Sequence, residues 1–422
     1  MVDGAVLAAL VVFAVCYSAI AAGRVPGLSL DRPTAALAGA VLMVAAGVIS
    51  PRDAAQAVNG DTIGLLLGMM ILAELLAEAG FFRWAGWRVV SAAQTPRALL
   101  WGLTFAAGGL AALLVNDTVC VMMTPLVLAL VDEAELPPLP YLLAVAFGAN
   151  AGSAATLVGN PQNVIVGALS GISFSRFTLA LALPAAAALC VVALLLQLLF
   201  RRDLPHRRLA PAHAVPPTLD GPLLRRALLG LTLAVLGFLG GLPLAWTALA
   251  AATLALALAP RSPRTVLARL DWPLLVFFAG LFVVVAGVGR SGLAEWIYDR
   301  AVAPALGVGT SRQAIVFSGF ATLASQLVSN VPFVLLAGSW IPNTADPDLM
   351  WLATALSSTL AGNLTIVGSV ANIIVLELAG ERGRIGFWRF LAYGLPVTAL
   401  TLVVSLALLL GERSLGLLAG SP

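Results

Sequence analysis

The segment TLVGNPQNVIV (156–166) recurs in the second half of the chain as TIVGSVANIIV (365–375). A second pair of segments aligns in the same order, because LLLGMMILAELLAEAGFFRW (65–84) matches VFFAGLFVVVAGVGRSGLAEW (276–296). This alignment places Gly68 over Gly280, Gly80 over Gly292 and Trp84 over Trp296. The chain therefore contains two repeats. Both copies are strongly apolar yet interrupted by polar residues, and this combination decides the fold class.

The composition is that of a membrane protein. Of the 422 residues, 60% are hydrophobic and 10% are charged, and the mean hydropathy is +1.01. Soluble domains carry about 25% charged residues. The long apolar stretches suit helices of roughly 20 residues that cross a bilayer, whereas a barrel would alternate every second residue. We predict an all-α membrane protein embedded in the lipid bilayer, with no cofactor, no metal and no nucleic-acid partner.

Eight apolar spans are uninterrupted, near 4–22, 33–49, 62–79, 178–200, 224–240, 243–259, 272–290 and 389–411. Two further regions, 98–170 and 312–379, are apolar but broken by Asn, Asp, Ser, Gly and Pro. Irregular backbone is tolerated in a membrane only where it is buried in protein or lines a wet cavity. These two regions are therefore predicted to carry the function.

Each interrupted region predicts a re-entrant hairpin followed by a broken helix. In the first half the hairpin covers 98–132, with VNDT (115–118) as its first tip, and the helix 141–170 breaks around GNPQN (159–163). In the second half the hairpin covers 312–341, with SNVP (329–332) as its second tip, and the helix 351–379 breaks around GSVAN (368–372).

The predicted organisation is a first repeat (1–200), a linker (201–223) and a second repeat (224–422). Each repeat holds three helices, a hairpin, a broken helix and a last helix, at 178–200 or 389–411. Five crossings per repeat invert the second repeat, giving about ten transmembrane helices plus two hairpins. Most of the 23 basic residues, all arginine, fall on the linker side, from Arg24 to Arg389. This bias predicts a cytoplasmic linker and both termini outside. We expect the membrane to be a bacterial inner membrane.

NDTVCVMMTPLVLAL (116–130), followed by GANAGSAATLVGNPQNVIVG (148–167), resembles the ion transporter superfamily. This superfamily includes arsenite permeases, divalent-anion/sodium symporters, citrate–metal carriers and sodium/proton antiporters. The resemblance covers nearly the whole chain and is closest to the arsenite permeases. It implies a scaffold, a mobile transport domain with an elevator movement, a homodimer, and H+ or Na+ as the coupling ion.

The resemblance also implies that the tips and breaks bind the substrate. The dicarboxylate symporters have Ser-Asn-Thr at each tip, and the matching residues here are Val115, Asn116 and Asp117, then Ser329, Asn330 and Val331. Both asparagines are retained, but the other differences argue against a dicarboxylate. Free backbone groups and helix ends at such tips attract ions. The candidate binding residues at the tips are Asn116, Asp117, Thr118, Ser329 and Asn330.

The helix breaks add a second set of candidates. Proline removes a backbone donor and frees carbonyl groups of the preceding turn, and Pro161 lies within the first break. The polar residues there are Thr156, Asn160 and Asn163, followed by Thr365, Ser369 and Asn372 in the second repeat. A ligand cage is one interpretation. Helix capping and kinking for packing is the alternative, since Asn, Asp, Ser and Thr are good caps.

Two carboxylates are candidates for coupling. Asp117 is at the first tip, and a carboxylate inside a membrane is costly and functional by default. Glu74 lies inside the third span and aligns with Ala286, so it has no counterpart. Either side chain could carry a proton, and Asp117 could instead bind Na+. Asp117 could also be an ion-paired cap and Glu74 a structural hydrogen-bond donor. Glu78 and Glu377 are expected to be interfacial charges, and Cys120 a core residue.

No Arg, Lys or His falls in the middle of a predicted span. A dianion would therefore rely on amides, helix ends and bound cations, whereas a neutral solute would need no compensation. The leading hypothesis is a proton-coupled arsenite efflux permease for a small anion or neutral metalloid. The alternatives are a Na+-coupled symporter for a dicarboxylate or other small anion, and a Na+/H+ antiporter. We expect no enzymatic activity, because the HExxH and Gly-x-Ser-x-Gly patterns are absent.

Overall fold

The computed structural model describes residues 4–22, 31–205, 207–209 and 216–417. Arg24, one residue of the predicted linker (206) and a further stretch of it (210–215) lie outside these ranges. Within the described residues all regular structure is helical.

The first repeat contains ten described helices. They are α1 (Gly4–Ala22), α2 (Arg32–Ala45), α3 (Pro51–Ala57), α4 (Gly60–Glu78), α5 (Phe81–Ala92), α6 (Pro96–Leu113), α7 (Asn116–Glu133), α8 (Pro138–Ser153), α9 (Pro161–Ser170) and α10 (Phe174–Leu199).

The second repeat follows the same order. Its described helices are α11 (Gly221–Leu239), α12 (Leu244–Leu258), α13 (Pro263–Ala268), α14 (Trp272–Arg290), α15 (Leu293–Ile297), α16 (Ala303–Leu306), α17 (Thr310–Val328), α18 (Asn330–Ala337), α19 (Pro347–Ala361), α20 (Val370–Ala379) and α21 (Phe387–Ser414).

Six of the described helices are long and apolar enough to cross a membrane, namely α4, α6, α10, α11, α14 and α21. Three shorter apolar helices lie within α1, α2 and α12. The chain is therefore a multi-pass integral membrane protein. Because α6 is one of the six, although it was assigned to a hairpin arm, the number of ten crossings stays a prediction.

The two repeats interlock through α4 and α14. Helix α4 packs on α12 of the second repeat, and α14 packs on α2 of the first. The contacts are close because of two aligned glycines. A Cβ on Gly68 would lie 2.7 Å from the carbonyl carbon of Ala248, and a Cβ on Gly280 would lie 2.7 Å from that of Ala36. Neither repeat can bury these helices without the other.

The hairpins are also shared between the repeats. Helix α6 packs on α8, and its counterpart α17 packs on α19. The second halves of the broken helices cross over, because α9 packs on α18 and α20 packs on α7. Each hairpin is therefore held by one helix of its own repeat and one of the other.

The two hairpins open on opposite faces of the molecule. The backbone amide of Leu209, in the linker, donates to the carbonyl of Gln94 at 2.9 Å, beside the start of the first hairpin. We call this side the linker face. The helix α10 spans about 39 Å from there, and Arg176 at its far end pairs with Asp348 at 2.8 Å. Because Asp348 follows the second hairpin, that hairpin opens on the face opposite the linker.

Charged contacts hold the face opposite the linker as well. Arg290, at the end of α14, pairs with Asp53 of α3 at 2.5 Å. The Ser50 hydroxyl, whose Oγ lies 2.6 Å from the Asp53 carboxylate, and the Arg290 guanidinium lower the pKa of Asp53 below its usual value. This ion pair links α3 of the first repeat to α14 of the second.

Short helices that were not predicted from the sequence precede each hairpin. Helix α5 leads into α6, while α15, a π turn (Tyr298–Val302) and α16 lead into α17. Both begin after a glycine with a left-handed backbone, at φ 83° for Gly80 and 76° for Gly292. These aligned glycines turn the chain at the end of α4 and of α14. The segments were missed because they are too short or too polar to form an apolar span.

Candidate functional site

The two tips differ in backbone geometry. At the first tip Val115 has ordinary extended dihedrals (φ −60°, ψ 127°), and the backbone amide of Asn116 donates to the carbonyl of Gly159 at 3.0 Å. At the second tip Ser329 has φ 67° and ψ 160°, a region almost restricted to glycine, where a side chain costs about 1–3 kcal/mol. The second tip is therefore strained.

The first helix break is held open by two asparagines. The Asn160 Oδ1 accepts the backbone N–H of Asn163 at 2.9 Å and so caps α9. The Asn163 Nδ2 donates to the carbonyls of Ser153, at 3.1 Å, and Thr156, at 2.9 Å. Asn163 thus satisfies carbonyl groups that the interruption of the helix leaves free.

The second break has the same design. The Asn372 Nδ2 donates to the carbonyls of Gly362, at 2.7 Å, and Thr365, at 3.0 Å. The Ser369 Oγ accepts the backbone N–H of Ala371 at 3.2 Å, at the start of α20. The alignment of Asn163 with Asn372 therefore corresponds to the same hydrogen bonds in both repeats.

The breaks are joined by side chains at equivalent positions of α8 and α19. The Asn150 Nδ2 donates to the Asn372 Oδ1 at 3.2 Å, and the Thr359 Oγ1 donates to the Asn163 Oδ1 at 3.4 Å. Asn150 and Thr359 were both missed in the sequence analysis. They lie inside segments that form regular helix, so no interruption marked them. An asparagine within α8, a helix that is otherwise almost entirely apolar and is buried along its length, was nevertheless a usable signal.

Asn150 is the centre of a buried group that we call the amide cluster, formed with Asn116, Asn363, Ser369 and Asn372. Its Oδ1 accepts from the Asn116 Nδ2 at 3.1 Å and from the Ser369 Oγ at 3.0 Å. Its Nδ2 also donates to the Asn363 Oδ1 at 2.9 Å. The cluster brings together the first tip and the second break, and all five side chains are buried.

Each tip asparagine has an unpaired acceptor. The Oδ1 atoms of Asn116 and Asn330 are buried, and neither has a hydrogen-bond partner among the described residues. Buried polar atoms are normally paired, and an orphan costs about 1–3 kcal/mol. The two asparagines are aligned in the sequence, so each tip carries one such acceptor, and at the first tip the hydrogen bond from Asn116 to Asn150 fixes its orientation.

The remaining break residues hold the surrounding helices. The Thr156 Oγ1 donates to the carbonyl of Ala112 in α6 at 2.5 Å, and the Thr365 Oγ1 donates to the Gln326 Oε1 in α17 at 2.7 Å. Both threonines therefore anchor a hairpin arm. Asn160, besides capping α9, donates through Nδ2 to the Ser153 Oγ at 2.9 Å.

Asp117, Thr118 and Glu74 lie together in a separate place, a cavity of about 110 Å³ that we call the acidic cavity. It separates α4 and the start of α14 from the first tip and α20, and Arg269 and Asp271 also line it. The Arg269 Nη1 is 3.5 Å from the Glu74 Oε1. Three carboxylates thus face one guanidinium, and the side chain of Asp117 is half-buried.

A smaller cavity of about 30 Å³ lies at the second tip. Ser329, Gln326, Arg32 and Tyr17 are among its lining residues. The Tyr17 hydroxyl is buried without a partner among the described residues. Arg32 begins α2, just before an apolar span, and this ordinary position gave no sign of a positive charge at a tip.

The other singled-out residues do not line the cavities at the tips. Glu78 pairs with Arg261, with the Nε and Oε1 atoms 3.0 Å apart. Glu377 is exposed, and Cys120 is fully buried in the apolar core. No group of His, Cys, Asp and Glu suited to a metal ion occurs within the described part of the chain.

Comparisons with known proteins agree on a transporter. The profile of the citrate transporter family (CitMHS) matches residues 8–357. The silicon efflux transporter LSI3 of Oryza sativa subsp. japonica is 30% identical over 94% of this chain and 96% of its own. An uncharacterized transporter of Mycobacterium tuberculosis is 31% identical over the same shares. The putative transporter arsB of Dictyostelium discoideum is 25% identical over 89% of this chain and 87% of its own.

The fold comparison is consistent with these matches. The crystal structure of the YdaH transporter of Alcanivorax borkumensis covers 99% of both chains with a TM-score of 0.60, at 18% sequence identity. This likeness shows a shared fold. Because the family profile matches most of the sequence and relatives match nearly all of it, the chain belongs to the citrate transporter family of the ion transporter superfamily and is a secondary transporter rather than an enzyme.

Proposed function

We propose that the protein exports a small uncharged metalloid hydroxide, arsenous acid first, in exchange for protons across a bacterial inner membrane. The observation that carries this proposal is the pair of vacant acceptors on Asn116 and Asn330. An uncharged hydroxide supplies O–H donors to such oxygens. A carboxylate has only acceptors and would leave the Oδ1 of Asn116 unpaired, because the NH2 group of that side chain is already bonded to Asn150.

The energetics suit a carrier. Pairing two orphaned acceptors would recover about 2–6 kcal/mol, at about 1–3 kcal/mol each. A dissociation constant of 1 mM corresponds to about 4.1 kcal/mol. The recovered energy of about 2–6 kcal/mol corresponds to dissociation constants from about tens of millimolar down to about tens of micromolar, so the site would bind its substrate and still release it.

The names of two relatives support this substrate class. LSI3 is a silicon efflux transporter and the Dictyostelium relative is named arsB. Silicic acid and arsenous acid are both uncharged hydroxides near neutral pH. The shared chemistry is a compact set of O–H donors, which is what the tip acceptors require.

We place the proton in the acidic cavity, on Asp117 or Glu74. Three carboxylates and one guanidinium line this cavity, so its formal charge is −2 when all are ionised, and a bound proton reduces the repulsion. Because the cavity separates α4 and α14 from the first tip, protonation would favour movement of the hairpins past those helices. The elevator movement, the homodimer and the cytoplasmic position of the linker face are parts of the same proposal.

The second candidate is a Na+-coupled symporter for a dicarboxylate or other small anion. Arg32 favours it, because this guanidinium lines the cavity at the second tip beside Ser329. A carboxylate could pair with Arg32 while Na+ occupied the vacant acceptor oxygens. The two candidates therefore differ in what Asn116 and Asn330 bind.

The test is transport in proteoliposomes that contain a pH-sensitive dye, with arsenite, silicic acid, succinate and Na+ added in separate experiments. We expect arsenite or silicic acid to move protons in the wild type. Asp117→Asn should abolish the substrate-driven pH change, and Glu74→Gln tests the second carboxylate. The matched control is Glu78→Gln, on the same helix as Glu74 but paired with Arg261, and it should leave the coupling intact.

The alternatives give different results. Succinate uptake that requires Na+, with no response to arsenite or silicic acid, would replace the proposal by the symporter. Proton movement driven by Na+ alone would identify an antiporter. Full coupling in both Asp117→Asn and Glu74→Gln would remove the acidic cavity from the mechanism.

A further inference from the structure

We infer that Asn150 fixes the orientation of the Asn116 amide, so that the site presents a hydrogen-bond acceptor to the ligand. The site would then prefer ligands that donate hydrogen bonds to ligands that only accept them. In this role Asn150 is a positioning residue, since it acts through Asn116. The inference rests on the proposed function, because it concerns the vacant acceptor of Asn116. It adds a residue, and a direction of hydrogen bonds, that determine the substrate class.

The orientation of the amide groups in this chain of hydrogen bonds is set first at Asn372. Its Nδ2 lies 2.7 Å from the carbonyl oxygen of Gly362 and 3.0 Å from that of Thr365. Backbone carbonyls only accept, so the NH2 group of Asn372 must face them. The Oδ1 of Asn372 is therefore an acceptor toward Asn150.

The orientation of Asn372 determines that of Asn150. Its NH2 group donates to the Oδ1 of Asn372 at 3.2 Å and to that of Asn363 at 2.9 Å. Asn363 is oriented in the same sense, because its Nδ2 faces the carbonyl of Phe147 at 3.4 Å. With both donors used, Asn150 presents only its Oδ1 to the first tip.

Asn116 completes the chain. Its Nδ2 donates to the Asn150 Oδ1 at 3.1 Å, and this is the side chain's one hydrogen bond within the described residues. The Oδ1 of Asn116 is consequently turned away from Asn150 and left vacant. Without Asn150, the amide of Asn116 could turn by 180° and present its NH2 group to a carboxylate.

Thr359 provides the matched comparison. It occupies the position of α19 that corresponds to Asn150, it is similarly buried, and it also bonds across the repeats. Its Oγ1 accepts from Asn160 at 3.2 Å and from Gln162 at 3.3 Å. None of its hydrogen bonds reaches a tip, so its loss should weaken the contact between the repeats without turning Asn116.

The experiment compares Asn150→Leu, Asn150→Asp and Thr359→Val with the wild type in proteoliposomes. The readout is the ratio of kcat/KM for arsenous acid to that for succinate. We expect Asn150→Leu to shift this ratio toward succinate by about tenfold, which corresponds to about 1.4 kcal/mol. Asn150→Asp keeps an acceptor for the Asn116 NH2 group, so it should retain the preference of the wild type. Thr359→Val should leave the ratio within about threefold.

The outcomes separate the inference from the proposed function. The wild-type ratio alone tests the substrate class, and the differences among the variants test Asn150. An equal shift in Asn150→Leu and Thr359→Val, or no shift in either, would overturn the inference. If Asn150→Leu does not fold, Asn150→Asp provides the test. Loss of the wild-type preference for arsenous acid in Asn150→Asp would overturn the inference, and retention of that preference, even by a destabilised protein, would support it.

Discussion

Replacing Gly148 with alanine would add a methyl group where α8 meets the first arm of the first hairpin. An ideal Cβ at this position lies 2.6 Å from the carbonyl oxygen of Thr104 and 3.1 Å from its Cα. Both atoms belong to the backbone of α6, so no side-chain rotation can relieve the overlap. The substitution therefore tests how closely the hairpin must pack on the broken helix.

The size of the effect follows from these distances. A carbon and a carbonyl oxygen normally approach to about 3.3 Å, so α6 would have to move by roughly 0.7 Å. If the tip moves with it, the 3.1 Å bond between Asn116 and Asn150 would lengthen to about 3.8 Å, beyond hydrogen-bonding distance. Overpacking of this kind costs about 1–3 kcal/mol, and for a chain of 422 residues we expect the melting temperature to fall by about 1–3 °C.

The assay is thermal unfolding in detergent, followed by the fluorescence of the nine tryptophans, together with arsenite transport in proteoliposomes. Gly109→Ala is the matched control, because a Cβ on this glycine of α6 would meet nothing within 4 Å. This control should be neutral or stabilising by up to about 1 kcal/mol, since alanine favours the helix over glycine.

A Gly148→Ala protein with wild-type melting and transport would refute the reasoning. It would mean that α6 and α8 do not make backbone contact at this point. Equal destabilisation by Gly109→Ala would likewise show that the loss comes from the helix itself rather than from the space between the helices.

Two further predictions concern the tips and the topology. Ser329→Gly should raise the free energy of unfolding by about 1–3 kcal/mol, because glycine tolerates the backbone conformation of Ser329. Val115→Gly, at the unstrained first tip, should lower it. Equal effects of the two substitutions in thermal unfolding would contradict the difference between the tips. The topology can be tested in a Cys190→Ser background, which removes the exposed cysteine. Because the hairpins open on opposite faces, a membrane-impermeant maleimide should label Glu133→Cys and Asn343→Cys from opposite sides, one in right-side-out vesicles and the other in inverted vesicles. Labelling of both cysteines from the same side would contradict the inverted arrangement.

Much of the architecture could be predicted because lipid imposes strict rules on sequence. Polar residues and proline within an apolar run are costly, so the break at Pro161 and the tip at Asn116 were visible without any structure. The alignment of Gly68 with Gly280 was visible in the sequence, but the close helix contacts that these two glycines allow were not predicted. Tertiary neighbours were not visible. Asn150 sits in an unbroken helix, and its importance depends on Asn372, far away in the chain.

Two charged residues at helix ends were also not recognised as neighbours of the tips. Arg32 and Asp271 each mark the beginning of an apolar span, which is an ordinary place for a polar residue. Only the packing of α2 and α14 against the hairpins brings them to the cavities at the tips. The sequence therefore located the tips and breaks but not the charges that surround them.

The exchange of hydrogen bonds between the repeats also affects the biosynthesis of the protein. Asn150 and its partner Asn372 are 222 residues apart, so at about 5–20 residues per second a ribosome needs roughly 10–45 s to supply the partner. During this interval the first half must remain in the bilayer with unpaired amides. A half-length product would never pair these amide groups. We expect quality-control proteases of the membrane to recognise such a product by its unpaired amides.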